Sequence, residues 1–324
     1  MTLAAQVVAG GGGLVKLLNT LWDGAALGAL YALLALGFVL IFKATQVINF
    51  AHGAIASVGA FFLATFAVDK RIPGQWIGGP DWLAWSLSVV LALLAAVAVG
   101  LLIERLAIRP MIGQPLFAVA IITLGIDIML RSVINDFLGT SNKSVGSPFG
   151  LDVFDIGGVR IPHTQVASTA LAVICFVAVG RFFKTRTGIA MRATAFDQEA
   201  AMLQGVKVGR VFATAWGIAA ALATLAGIFA AIFPRGSGNL EPGTAFFALR
   251  AFPAVILGGL DSTKGAIVGG FIIGIAEIVA AVYLQPFSDT LGNGFQTVVP
   301  YLVMLIGLLV RPYGLYGTPE VRRV

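Results

Sequence analysis

The chain alternates between long apolar runs and short polar connections, and the length of the runs decides the class of structure. A bilayer core needs about 20 apolar residues per helix, with a working range of roughly 17 to 25. Uncharged runs of this kind cover Gly24–Phe42, Phe50–Val68, Trp82–Ile103, Thr164–Gly180, Val211–Pro234 and Thr290–Val310. A further run, from about Pro110 to Phe137, contains Asp127 and Arg131, and another, Gly265 to Pro286, is interrupted only by Glu277. The pattern predicts an all-α fold, a polytopic transmembrane helix bundle of about eight full spans. Between Val211–Pro234 and the Glu277 run, Leu240–Leu260 carries Glu241, Pro242, Arg250 and Pro253 and ends at Gly258-Gly259. Its apolar stretch is too short to span alone, so it reads as a broken or re-entrant helix. Such backbone is tolerated at membrane depth only where protein or water satisfies its polar groups.

Composition strengthens this reading. Of the 324 residues, 58% are hydrophobic and 11% charged, with mean hydropathy +0.95. A soluble domain carries roughly a quarter of its residues as charges, so lipid is the main solvent here. The 40 glycines fit the same picture, because small residues let membrane helices approach closely. Gly265, Gly269, Gly270 and Gly274 form overlapping small-xxx-small spacings and mark a helix-packing surface. Cys175 is alone in an apolar run, and His163 is the one histidine besides His52, so neither a disulfide framework nor a metal site is expected.

The net charge of +6 raises the question of a nucleic-acid partner, and its location answers it. If the loop at 184–210 is cytoplasmic and Leu240–Leu260 carries the chain across, cytoplasmic Lys and Arg exceed outside ones about twofold. The charge is then a topology signal, with the N-terminus outside and the C-terminus in the cytoplasm, and nucleic acid is not required. On this reading residues 1–23 are a flexible leader, 24–310 the transmembrane domain and 311–324 a cytoplasmic tail. Ser141–His163 becomes an external loop. No basic region precedes the apolar residues of Met1–Gly13, so a cleaved signal peptide is not expected.

Several polar positions stand out against the apolar background. Asn49 can cap the second helix, which places His52 in its first turn; the two either line or gate a central pathway or form a hydrogen-bonded structural turn. Glu277 lies inside an apolar helix, where a carboxylate normally faces a cavity or a partner. Arg250 is the best candidate partner, ahead of Lys264, and a structural pair and a pathway role are both open. Asp127 and Arg131, four apart with the acid first, have the favourable order for a local helical pair and read as structural. In the 184–210 loop, Arg192, Asp197, Glu199, Ala200, Ala201, Gly205 and Arg210 belong to a segment of helix formers. Such a segment can form a short helix against a partner or an ordinary solvated loop.

Glu199-Ala200-Ala201 followed by Gly205 matches the EAA-x-x-x-G pattern of permeases in ABC importers. Ile48-Asn-Phe-Ala-His-Gly53 resembles the INFAHG motif of the permeases for branched-chain amino acids. Leu257-Gly-Gly-Leu-Asp-Ser-Thr-Lys-Gly-Ala-Ile-Val-Gly-Gly270 resembles their LGG-hydrophobic-GS-x-x-GA-x-x-GG stretch, and Arg311-Pro-Tyr-Gly-Leu-Tyr-Gly317 their C-terminal RP-x-GL-aromatic-G. The matches keep their order along nearly the whole chain, and the length resembles the H-type permease of the Liv systems. Asp261 departs from the usual Gly, which questions the local backbone, and Ile189 stands where a basic residue is common before Ala-Met-Arg.

The resemblance implies a subunit in the bacterial inner membrane that moves branched-chain amino acids. It also implies a heterodimer with an M-type permease, two cytoplasmic ATPases holding ATP and Mg, and an external solute-binding protein. The 184–210 loop would dock on the ATPases. No G-x-x-x-x-G-K-[ST] phosphate loop occurs in the chain, and no catalytic constellation points to an enzyme. Two other readings stay open: an ion-coupled secondary transporter using Glu277, and an ABC permease for urea or short amides.

Overall fold

The computed structural model describes residues 12–77, 80–138, 142–150, 152–233, 239–240, 245–292 and 294–318. Residues 1–11 of the expected leader, Pro234, Glu241, Pro242 and the tail from 319 onward lie outside the described residues.

Helix α1 (Gly13–Thr45) is the column on which the bundle is built. Its 33 residues make a rod of about 50 Å, longer than the ~30 Å of hydrocarbon it crosses. A helix apolar on every side is one surrounded by protein, and 89% of its most apolar stretch is buried. The expected flexible leader is corrected here, since residues 13–23 are the first turns of α1. They are held because Asn19 Oδ1 accepts from the Arg160 backbone N–H at 2.9 Å and Asp23 Oδ1 accepts from Gln165 Nε2 at 2.7 Å.

Helix α2 (His52–Leu63) follows α1 after a turn and ends in a π-helical stretch, Ala64–Asp69. Helix α3 (Asp81–Ile103) passes through a π-turn into a short 3-10 turn at Arg109–Met111. Helices α4 (Leu116–Leu138) and α5 (His163–Phe182) form the rim, with only 28% and 22% of their apolar cores buried. Two short helices, α6 (Arg186–Phe196) and α7 (Gln198–Leu203), precede α8 (Val208–Ile232). The last third holds α9 (Phe247–Gly258), α10 (Thr263–Tyr283), the single turn α11 (Ser288–Leu291) and α12 (Val299–Val310).

The bundle is the expected polytopic one, with seven helices among the described residues long and apolar enough to span, and α9 and α12 shorter. The final span is therefore reduced from the expected Thr290–Val310. Gly292 and Gly294 take positive φ and Pro300 sits in the first turn, so regular helix begins only at Val299.

The connections sort to two ends. At one end lie α6 and α7 and the chain after α12; at the other lie four short strands the sequence pattern did not predict. Strands β2 (Val153–Ile156) and β3 (Val159–Pro162) form an antiparallel hairpin, and β1 (Lys143–Ser144) pairs with β4 (Asn239–Leu240). The hairpin closes on Gly157 and Gly158, both at positive φ, the condition of a two-residue turn that matches strand twist. The Gly-Gly pair between two short β-compatible runs was the available signal.

Between membrane helices lipid supplies no hydrophobic gain, so close backbone approach carries the packing. A Cβ on Gly274 would lie 2.3 Å from the Gly28 backbone nitrogen, and one on Gly270 would lie 2.5 Å from that of Ala32. These two glycines face α1. Gly265 and Gly269 turn the other way, onto the carbonyls of Gly258 and Ala254 in α9. Gly125 on the rim has open space around it. Gly274→Val is therefore expected to destabilise by about 1–3 kcal/mol through overpacking against immovable backbone. Gly125→Ala should leave the thermal midpoint in detergent unchanged, and an equal response of the two would refute the close-packing account.

Candidate functional site: a mid-membrane cavity and an exposed helical loop

The Asn49–Gly53 turn joins α1 to α2 inside the bundle. Asn49 Oδ1 accepts from the Ala51 N–H at 3.0 Å, so Asn49 stiffens the approach to α2 and does not cap its first turn as expected; the capping position is Ala51. Thr123 of α4 fastens the same turn, its hydroxyl accepting from the Phe50 N–H at 3.2 Å. His52 opens α2 as expected but is fully buried. Its ring lies 4.4 Å from that of Phe38, and a Cβ on Gly37 would come within 2.6 Å of it. Among the described residues neither ring nitrogen has a partner of hydrogen-bond geometry, although the Leu34 backbone faces the ring. His52 is thus packed into the core, one residue from the cavity wall at Gly53.

Helix α9 is a half-length helix. Its Phe247 ring meets Tyr31, near the middle of α1, at 5.1 Å, and Phe252 meets Phe38 at 5.6 Å. Strand β4 lies at the hairpin end, regular helix begins at Phe247 beside the middle of α1, and Gly258 lies at the loop end. Gly53 makes this start possible, because a Cβ there would lie 2.5 Å from the Ala245 carbonyl.

Beside the start of α9 is a cavity of about 150 Å³. Phe38, Phe50 and Phe252 give it an aromatic wall, and Asp127 and Arg131 of α4 give it a charged one. Asp127 occupies the midpoint of α4. The expected Asp127–Arg131 pair is present, through Arg131 Nη2 and Asp127 Oδ2, and the Arg131 guanidinium also lies 4.9 Å from the Phe246 ring. What the sequence reading missed is that this pair borders a cavity.

Glu277 and Arg250 meet as well, at 3.5 Å, and Glu277 is buried. The shorter bond is to a residue that no sequence pattern singled out, with Tyr31 Oη donating to Glu277 Oε2 at 2.6 Å. None of the three borders the cavity.

At the loop end, Thr185 caps α6 by accepting from the Gly188 N–H at 3.2 Å. Asp197 ends α6 and caps α7, accepting from the Ala200 N–H at 2.9 Å. Helix α7 closes through Gly205 at φ +81. The Gly205 N–H reaches the Met202 carbonyl at 2.9 Å and the Val206 N–H the Ala201 carbonyl at 3.0 Å, the paired bonds of a Schellman stop. Arg192, Glu199, Ala200 and Arg210 are exposed, while Ala201 is buried against the bundle. Phe196 (88% exposed) and Leu203 (87% exposed) flank α7 as bare apolar side chains; the sequence pattern did not single them out. Gln46 Nε2 ties the end of α1 to the Ala195 carbonyl of α6 at 3.3 Å.

The comparisons decide what this assembly is. The family described as "Branched-chain amino acid transport system / permease component" matches residues 20–308. The chain belongs to this family of ABC-importer permeases. It is 31% identical to the high-affinity branched-chain amino acid transport system permease protein LivH of Escherichia coli K12, over 95% of this chain and 97% of that one. It is 29% identical to the corresponding permease protein BraD of Pseudomonas aeruginosa, over 95% and 98%. It also overlays on a chain of PsaBC from Streptococcus pneumoniae, solved with a Fab, with TM-score 0.47 and 15% identity over 96% and 98%. As a permease of this family it is a multi-pass membrane protein and a transport subunit.

Within this permease the Tyr31–Glu277 bond is the sharpest target. A hydrogen bond to a charged group contributes about 1.5–3 kcal/mol. Tyr31→Phe and Glu277→Gln are each expected to lower the thermal midpoint, and the double variant to lose less than the sum, because the two share one bond. Strictly additive losses would show that the pair does not act as a unit.

Proposed function

We propose that the chain is a translocating subunit for branched-chain amino acids in an importer driven by ATP hydrolysed on separate subunits. The match to the permease family over residues 20–308 carries this reading. The capped, exposed α6–α7 loop supports it as the part that meets an ATPase. In this reading α7 seats in a groove of the ATPase, with Phe196 and Leu203 as apolar anchors at its two ends. Arg192 and Glu199 lie on the surface that faces that groove. Ile189 is exposed on α6 and falls on the same docking surface.

The remaining parts of the complex follow from the same reading. A second, M-type permease completes the translocation path as a heterodimer, two ATPases with ATP and Mg sit in the cytoplasm, and an external solute-binding protein delivers the substrate. The loop end, rich in Lys and Arg, faces the cytoplasm of the bacterial inner membrane, so the N-terminus lies outside and the C-terminus inside. A gradient-driven carrier working through Glu277 fits less well, because that carboxylate is already engaged by Tyr31 and Arg250.

Orientation is tested with single cysteines in a Cys175→Ala background. A thiol introduced by Ile156→Cys in the β2–β3 hairpin should react with an impermeant reagent only from the periplasmic side. One introduced by Gln204→Cys should react only from the cytoplasmic side, and the reverse labelling would overturn the orientation.

The function is tested at Gly205. Its φ of +81 lies in a region that a β-branched side chain cannot occupy without strain. Gly205→Val should leave insertion and expression normal and abolish ATP hydrolysis stimulated by the loaded binding protein in the reconstituted complex. Uptake driven by an ion gradient with this chain alone, unaffected by Gly205→Val, would refute the importer reading.

A further inference from the structure

Two ion pairs stand within the membrane-spanning helices, and their surroundings differ. Glu277 is enclosed, with Tyr31 and Arg250 both directed at it. The Asp127–Arg131 pair is at mid-depth and forms one wall of the 150 Å³ cavity. A local pair on a lipid-facing helix has no need of a cavity beside it, and charges retained at membrane depth normally face a water-filled path or a cargo.

Three observations converge on that cavity. First, Arg131 has a hydrogen-bonding group to spare, since its Nε is buried and has no partner among the described residues. Second, α9 begins at the cavity with no side-chain cap on its first turn among the described residues. The N-terminus of a broken membrane helix presents the positive end of its dipole to an anionic group. Third, the wall facing these charges is aromatic and apolar, built by Phe38, Phe50 and Phe252. A cavity of about this volume admits a molecule the size of benzene, which is enough for a branched aliphatic side chain.

We propose that this cavity is the permease's own recognition site for a zwitterionic amino acid. Asp127 receives the α-ammonium, Arg131 with the start of α9 receives the α-carboxylate, and the three phenylalanines enclose the aliphatic side chain. The inference rests on the reading of the chain as an amino-acid permease and adds to it a site and a division of roles. Both charges of the cargo are exchanged for protein charges at the depth where leaving water costs most. The ion pair keeps the empty site neutral. A neutral amide has no use for such a pair, so the site selects by charge pattern in addition to side-chain shape.

The test uses the full transport complex, purified through this chain and reconstituted in proteoliposomes. Leu249→Cys in the Cys175→Ala background places a thiol on the cavity wall, and its labelling by N-ethylmaleimide is followed with and without ligand. L-Leucine is expected to protect the thiol, whereas 3-methylbutylamine, which lacks the carboxylate, and 4-methylpentanoate, which lacks the ammonium, are not. Asp127→Asn combined with Arg131→Gln keeps shape and hydrogen bonding but removes both charges. It should raise the leucine concentration for half-protection about tenfold to a hundredfold, with the thermal midpoint of the complex retained.

A merely structural pair would instead give unchanged protection in the neutral double variant, and that result would overturn the site. So would equal protection by leucine and its single-charge analogues. Leucine uptake is measured in the same vesicles to separate the two readings. Uptake of leucine with an unprotected thiol sinks this site alone. Absence of leucine uptake, with ATP-driven uptake of another solute, sinks the substrate reading and this site with it.

Discussion

Close backbone contact between α1 and α10 sets the positions of nearly everything else. Lipid gives two apolar helices no reason to join, so the contact has to be nearer than side chains normally allow. Gly24, Gly28, Gly270 and Gly274 supply that approach, each with its missing Cβ within 2.3–2.8 Å of a heavy atom of the facing backbone. Because Gly265 and Gly269 lie on a different face of α10, the same helix also clasps α9. Helix α10 is thereby held on two sides, and the depth of α9 against α1 follows from it. That depth matters, because it puts the start of α9 beside Phe38 and Gly53 and leaves the cavity where it is.

Polar groups inside the bundle divide according to whether their surroundings are complete. Glu277 has a hydroxyl and a guanidinium, Asp23 has the Gln165 amide, and Glu104 is held by Arg109 through two bonds of 3.0 Å. In each case the partners come from the protein and the group joins two elements or two turns. Arg109 goes further and donates to the Gly209 carbonyl at 3.1 Å, tying the end of α3 to the start of α8. Asp127 and Arg131 differ from these three. They bond to each other within α4, Arg131 also lies against the Phe246 ring, and the pair stands open to a cavity.

Periodicity and run length were sufficient to read the class, the order of the spans and a segment too short to span that ends at Gly258-Gly259, because each depends on local sequence. Gly205 was legible for the same reason, as a glycine following helix formers. The pairing of Glu277 with Arg250 could be expected from charge alone, but Tyr31 could not, since a tyrosine in an apolar run carries no sign of its partner 246 positions away. Asp127 and Arg131 were read as a local pair, which they are; the cavity comes from α1, α2 and α9 meeting them, and no spacing within α4 encodes that. Asp261 raised a doubt about backbone geometry that the structure removes. The positive φ values fall on Gly259 and Gly314 instead, and the Asp261 carboxylate accepts from Thr318.

Helix α9 shows how a sequence that looks broken makes a continuous element. Pro253 has no N–H and so frees the carbonyl four residues earlier, a serious defect at membrane depth. That carbonyl, on Leu249, accepts from the Tyr301 hydroxyl of α12 at 3.2 Å. At the C-terminal end the Leu257 and Gly258 carbonyls, which a helix end leaves unpaired, accept from the Leu315 and Tyr316 N–H groups at 2.8 and 3.0 Å. The Arg-Pro-Tyr-Gly-Leu-Tyr-Gly stretch is therefore a backbone cap for α9. Its Gly314 is required by the fit, because a Cβ there would lie 2.7 Å from the Gly259 nitrogen. Helix α9 is thus fastened to α10, α12 and the tail, while the charged wall opposite belongs to α4. The cavity lies on the seam between these two groups, with Phe38 of α1 and Gly53 of α2 completing its lining.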